Sequence, residues 1–80
     1  MTKEVVYQAA ALRGRGDFQD AIDLVEKNRA NLDEYSRIPA LIQAFQAAVE
    51  GGLVSDARRL AAEIAQEEPN LPSIQNYLKN

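Results

Sequence analysis

Helix-breaking residues fall in clusters, and their spacing is what most limits how this chain can fold. Gly14 and Gly16 form one cluster, Gly51 and Gly52 a second, Pro69 and Pro72 a third, and Pro39 stands apart. The segments between them are rich in alanine, leucine, glutamine, glutamate and arginine, which are strong helix formers. Their β-branched residues are scattered and do not alternate. The pattern therefore predicts an all-α chain of five helices joined by short turns, with no strand. Short turns force consecutive helices to lie as antiparallel neighbours. Eighty residues make one small domain spanning 1–80. A chain of that size buries only roughly 60% of the surface its unfolded form exposes.

Each segment carries its own signals. Helix 1 is expected over about 2–13, ending at Gly14. Helix 2 is expected to open with Asp17, whose carboxylate would accept from the free amides of the first turn. Phe18, Ala21, Ile22 and Val25 then recur at the spacing of one buried helical face. Helix 3 is expected to start near Ser36, which would leave Pro39 in the first turn, where its missing amide hydrogen costs least. Its apolar run is the densest in the chain, from Ile38 through Leu41, Ile42 and Phe45 to Val49. A helix apolar nearly all round is covered on more than one side, so helix 3 should be the centre. Helix 4 is expected to open with Ser55 as cap and to bury Ala57, Leu60, Ala61, Ile64 and Ala65 before Pro69. A short last helix, opened by Asn70 and Pro72, offers Ile74, Tyr77 and Leu78.

The chain also matches itself at an offset of 36 residues: Gly16, Phe18 and Ala21 align with Gly52, Val54 and Ala57. Each unit is a glycine turn, an apolar residue two later, and an alanine three further on. That alanine sits where two helices of a hairpin cross closely. Pro69 follows the second alanine by a further helix length. These residues, and the phrase GDFQDAI in the first unit, resemble the tetratricopeptide repeat, a helix–turn–helix unit of about 34 residues. The second unit keeps Gly52, Ala57 and Pro69 but has Ala61 where that family favours an aromatic. Val5 and Leu41 stand where its tryptophan would be, and Asp33 where the first unit's proline would fall. The resemblance implies a short right-handed α-solenoid: repeat one at about 2–35, repeat two at about 38–71, and a capping helix at about 72–79. Arrays of this kind usually need three repeats. Two and a half imply a fragment of a longer chain or self-association.

Composition narrows the chemistry. Cysteine and histidine are both absent. No disulfide, thiolate metal site or thiol nucleophile is available, nor is the commonest general base near neutral pH. Three serines without histidine exclude the usual triad. Asp20 with Asp23, and Glu63 with Glu67, are paired carboxylates of a kind that can hold a hard cation or divide acid and base roles. Both pairs fall on polar helix faces, so solvated surface is the expected reading and an enzyme is not. Gly14-Arg15-Gly16 joins helices and is not a phosphate cradle. Arg15-Gly16-Asp17 spells an integrin-recognition tripeptide, but a turn glycine and a helix cap already account for its letters. The net charge of -3 argues against nucleic acid and anionic membrane partners, and Arg58 falls where a helix-turn-helix motif needs a buried apolar residue. No apolar run is long enough to span a bilayer. No cofactor is expected, and cysteine-free composition without a signal peptide fits a cytoplasmic chain.

What remains is protein binding. The resemblance implies a concave groove lined by the first helix of each hairpin. The family's groove positions fall on Lys3, Val6, Ala10 and Arg13 of helix 1, and on Pro39, Ile42, Gln46, Val49 and Glu50 of helix 3. The family's carboxylate clamp is not expected, because Val6, Ala10, Ile42 and Gln46 occupy its positions. A second candidate face lies on helix 4. Arg58 and Arg59 sit near its start and Glu67 and Glu68 at its end, against the helix dipole, at a cost of about 0.3–1 kcal/mol per exposed charge. Such a pattern is expected to face a charged neighbour. The chain thus reads as a non-enzymatic interaction module, adaptor or scaffold, with a protein or peptide as partner. The alternative is a structural oligomerisation or docking domain buried against another copy or another domain.

Overall fold

The computed structural model of the chain describes residues 3–79. Five α-helices follow one another: α1 (Lys3–Gly14), α2 (Phe18–Asn28), α3 (Glu34–Glu50), α4 (Val54–Glu67) and α5 (Pro72–Lys79). A single 3-10 turn, Arg29–Asn31, extends α2. No strand occurs among the described residues, and no helix among them is long and apolar enough to cross a membrane. Thr2, the expected first residue of helix 1, lies outside the described residues.

The first hairpin, α1–α2, and the second, α3–α4, close through the same turn. In the first, the Asp17 amide donates to the Leu12 carbonyl at 2.9 Å and the Gly16 amide to Arg13 at 3.0 Å. In the second, the Leu53 amide donates to Ala48 at 2.8 Å and the Gly52 amide to Val49 at 3.2 Å. This paired bonding ends a helix with a left-handed residue, and here that residue is Gly16 (φ 84) or Gly52 (φ 70). Two glycines 36 positions apart therefore occupy one backbone role, which a side chain would strain.

The same geometry corrects the expected caps. The turns are so tight that the last residue of each is already the cap of the next helix. Asp17 occupies the cap position of α2, but its side chain caps nothing; its Oδ2 is held by Arg15 Nε at 3.2 Å. Leu53 caps α4, so Ser55 is inside the helix. Helix α3 starts two residues earlier than expected. Asp33 Oδ1 accepts from the amides of Tyr35 (3.0 Å) and Ser36 (2.8 Å), the second and third helical residues. Pro39 consequently stands in the second turn of α3. The bond its amide would have given Tyr35 is missing, on the exposed side of the helix.

Helix α3 is the centre: it packs against α1, α2 and α4, while α1 and α2 also pack together and α5 covers α4. Ala40, Leu41, Ala44, Ala47 and Ala48 of α3 are completely buried, and Phe45 nearly so. Onto them fold Val5 and Ala9, Ala21, Ile22 and Val25, and Ala57, Leu60, Ala61 and Ile64. Phe18, Ala65 and Tyr77 are half-buried, whereas Leu78 stays exposed. The result is a slab of 33 × 27 × 16 Å. The chain is tightly packed at the second turn, where a Cβ on Gly51 would lie 2.9 Å from Phe18 Cβ and Cδ2.

Gly51→Ala should accordingly lower stability by about 1–3 kcal/mol through overpacking against Phe18. Gly14→Ala, which meets nothing within 4 Å, should be neutral or stabilise by up to about 1 kcal/mol through helix propensity. Urea unfolding midpoints of the two variants check this contrast.

Candidate interaction surfaces

The expected groove residues lie along one face formed by α1 and α3, and the structure divides them into two hollows. At the turn end, Arg13 reaches from the last turn of α1 across α3. Its Nη1 donates to Gln43 Oε1 at 2.6 Å and also to Gln46 Oε1, and its Nε lies 3.3 Å from Glu50 Oε1. A cavity of about 340 Å³ opens beside this arginine, lined by Gln46, Val49, Glu50 and Phe45 with Ser73, Asn76 and Tyr77 of α5. The Tyr77 ring meets Phe45 edge-on, with centroids 5.1 Å apart, a favourable aromatic geometry that seats α5 at the rim. Val49 is 46% exposed, so the cavity presents an apolar side chain between amide groups.

At the other end, Lys3, Val6 and Pro39 line a smaller hollow of about 190 Å³ with Tyr7, Tyr35 and Ser36. Tyr7 and Tyr35 are 69% and 85% exposed. Ala10 and Ile42 fall between the two hollows, half-buried and lining neither. Sequence reasoning missed both tyrosines and the contribution of α5. The tyrosines had a signal, being large aromatics off the apolar stripe. Ser73 and Asn76 had none, because their place depends on how α5 docks.

The candidate charged face on α4 is tied into the chain itself. Arg59 donates to Glu26 of α2 at 2.7 Å and to Asp56 at 3.1 Å. Glu26 also accepts from Arg29 at 2.9 Å, and Arg29 pairs with Glu63 of α4. Glu67 pairs with Arg37 of α3, whose Nε is buried with no acceptor among the described residues. Arg58 and Glu68 are exposed and have no ion-pair partner among the described residues. The unfavourable placement of Arg59 and Glu67 on the α4 dipole is thus offset by partners on neighbouring helices.

The two carboxylate pairs separate in the same way. Asp23 accepts from Gln19 at 3.0 Å on the exposed side of α2, and Glu63 and Glu67 each hold an arginine. No group of three or more carboxylates placed to hold a metal ion occurs among the described residues. The Arg15-Gly16-Asp17 tripeptide is folded into the first turn with its two charged ends paired to each other.

Burial pushes the Glu26 carboxyl up, but hydrogen bonds from Arg59 and Arg29, together with their charges, outweigh it and hold the pKa below its ordinary 4.5. The hydrogen bond to Glu26 raises the Arg59 guanidinium despite partial burial. A depressed carboxylate pKa means that the stabilisation is fully present above the unfolded-state value and is lost as pH falls through the folded-state value. The melting temperature of the wild type should therefore exceed that of Glu26→Gln at neutral pH. The gap should close as the pH is lowered through 4.5 and below. Thermal melts of both proteins across that range measure it.

Compared with protein-family models, with curated proteins and with solved structures, the chain matches none of them.

Proposed function

We propose that the chain is a non-enzymatic protein–protein interaction module of the tetratricopeptide-like kind, which takes a peptide or protein segment over the face formed by α1 and α3. The observation that carries this reading is the cavity of about 340 Å³ between Arg13, Gln46, Val49 and Tyr77. Pockets that bind ligands combine an apolar floor with a few convergent polar groups. Here Phe45, Val49 and Tyr77 supply the floor, and Gln46, Asn76 and Ser73 supply amide and hydroxyl groups at its edges. Such groups can bond a peptide backbone while an apolar side chain of the ligand covers Val49.

The hairpin arrangement supports the solenoid part of the reading. Two hairpins carry the same turn at a 36-residue offset, their first helices pack side by side, and α5 lies against α4 with Gln75 and Lys79 exposed. Terminal repeats of stacked arrays need such a polar outer face.

Selection of displayed random peptides on the wild-type domain tests this function. Binders should share an apolar anchor and weaken by roughly tenfold or more against Val49→Glu, a loss of about 1.4 kcal/mol. Val49 is exposed enough that circular dichroism should show the variant folded. Binders that hold wild type and variant equally, or a selection that yields none, would remove the groove reading.

A further inference from the structure

The 36-residue offset relates two surfaces that have different fates. On α3, the stripe Ala40, Ala44 and Ala47 is fully buried, and Gly51 just after the helix, though exposed, abuts Phe18 of α2. The equivalent positions are Glu4, Gln8 and Ala11 of α1 and Arg15 of the turn after it, and all four are exposed. Leu60 of α4 is fully buried, while its counterpart on α2, Leu24, is only half-buried. A hollow of about 280 Å³ opens here, lined by Gln8, Ala11, Leu12, Arg15 and Leu24. The outer edge of the first hairpin therefore repeats a helix-packing surface that the second hairpin uses internally, and none of the other described helices lies upon it.

Charges frame this edge in a definite order. On α1, Glu4 lies far from the turn and Arg15 lies at it. On α2, which runs back antiparallel, Asp20 lies near the turn and Lys27 far from it, both on the stripe of Leu24 at one helical turn's spacing. The four corners thus alternate in sign around the apolar centre of Ala11, Leu12 and Leu24. Glu4, Asp20 and Lys27 are exposed and without ion-pair partners among the described residues. Arg15 keeps a side chain 65% exposed despite its pair with Asp17.

We propose that this edge is a self-association surface whose partner is a second copy of the same edge, related by a two-fold axis. An alternating pattern of this kind is complementary to itself. A two-fold axis parallel to the helices sets Glu4 against the partner's Lys27 and Arg15 against the partner's Asp20. A two-fold axis perpendicular to them sets Glu4 against the partner's Arg15 and Asp20 against the partner's Lys27. Either operation brings the apolar centres together and leaves no like charges opposed, the condition an isologous contact must meet. The edge shares no lining residue with the cavity beside Arg13, so the two surfaces can be altered separately.

Sedimentation equilibrium of the wild type over a wide concentration range at low salt is the test. The weight-average mass should rise towards that of a dimer, and Ala11→Arg should remain monomeric with unchanged circular dichroism. Glu4→Lys should weaken the dimer by roughly threefold to tenfold, as rim charges do. Adding Arg15→Glu restores it if the axis is perpendicular to the helices, and adding Lys27→Glu if it is parallel. Val49→Glu should dimerise like the wild type, which separates this surface from the groove. A wild type monomeric at every concentration, a dimer indifferent to Ala11→Arg, or a Glu4→Lys loss that neither second change repairs would overturn the proposal.

Discussion

The close approach of the two hairpins across α3 is the constraint on which the other features depend. Ala40, Ala44, Ala47 and Ala48 present almost no side chain, and Gly51 presents none where Phe18 comes to rest. Small residues at a helix crossing shorten the distance between axes, and in a domain this thin that raises the fraction of apolar surface removed from water. The same approach brings α2 near enough to α4 for Glu26 to meet Arg59, and α1 near enough to α3 for Arg13 to lie across Gln43 and Gln46. Packing of small residues thus determines which charges can pair, because exposed ion pairs are too weak to set helix positions themselves.

That order of causes explains what could be read without coordinates. The two turns were legible because a left-handed backbone residue requires glycine, and Gly16 and Gly52 meet that need at one fixed offset. The buried stripes of α2 and α4 were legible because their period is that of a helix, and Ala21, Ile22, Val25, Ala57, Leu60, Ala61 and Ile64 are all buried. The caps were legible only in part: Asp17 does stand at the cap position of α2, but its carboxylate accepts from no first-turn amide. Asp17 and Ser55 have good capping chemistry, but each turn closes so tightly that its final residue serves both helices, and the side chain of Asp17 turns to Arg15 instead. The start of α3 lies before the expected Ser36 because the Asp33 carboxylate accepts from two amides and fixes it there.

The charges of α4 show the limit of reasoning one helix at a time. Judged by the dipole alone, Arg59 and Glu67 stand at the wrong ends. Their partners, Glu26 and Arg37, lie roughly thirty positions away and become neighbours only once the hairpins stack. A hydrogen-bonded pair with a partly buried carboxylate offsets a dipole term of about 0.3–1 kcal/mol. The placing of the two hollows was legible to the same partial degree. The residues on α1 and α3 do share a face, but α5 and the two exposed tyrosines determine where that face is hollow.

The repeat is most informative where its two copies differ. A position that is alanine or glycine along α3 and its turn, and glutamate, glutamine or arginine along α1 and its turn, has the same backbone setting but a different neighbour. In α3 the neighbour is permanent, so shape alone matters and the side chain shrinks. On the first hairpin's edge the surface must also be stable in water, so it carries charge at its corners and apolar character at Ala11, Leu12 and Leu24. A wholly apolar edge would be sticky towards any exposed hydrophobic surface. An edge with alternating charges accepts few partners, since each wrong one leaves like charges opposed. Divergence between equivalent positions thus separates surfaces that fold the chain from surfaces left to water, and under the proposed self-association the first hairpin's outer edge is one that meets a second copy reversibly.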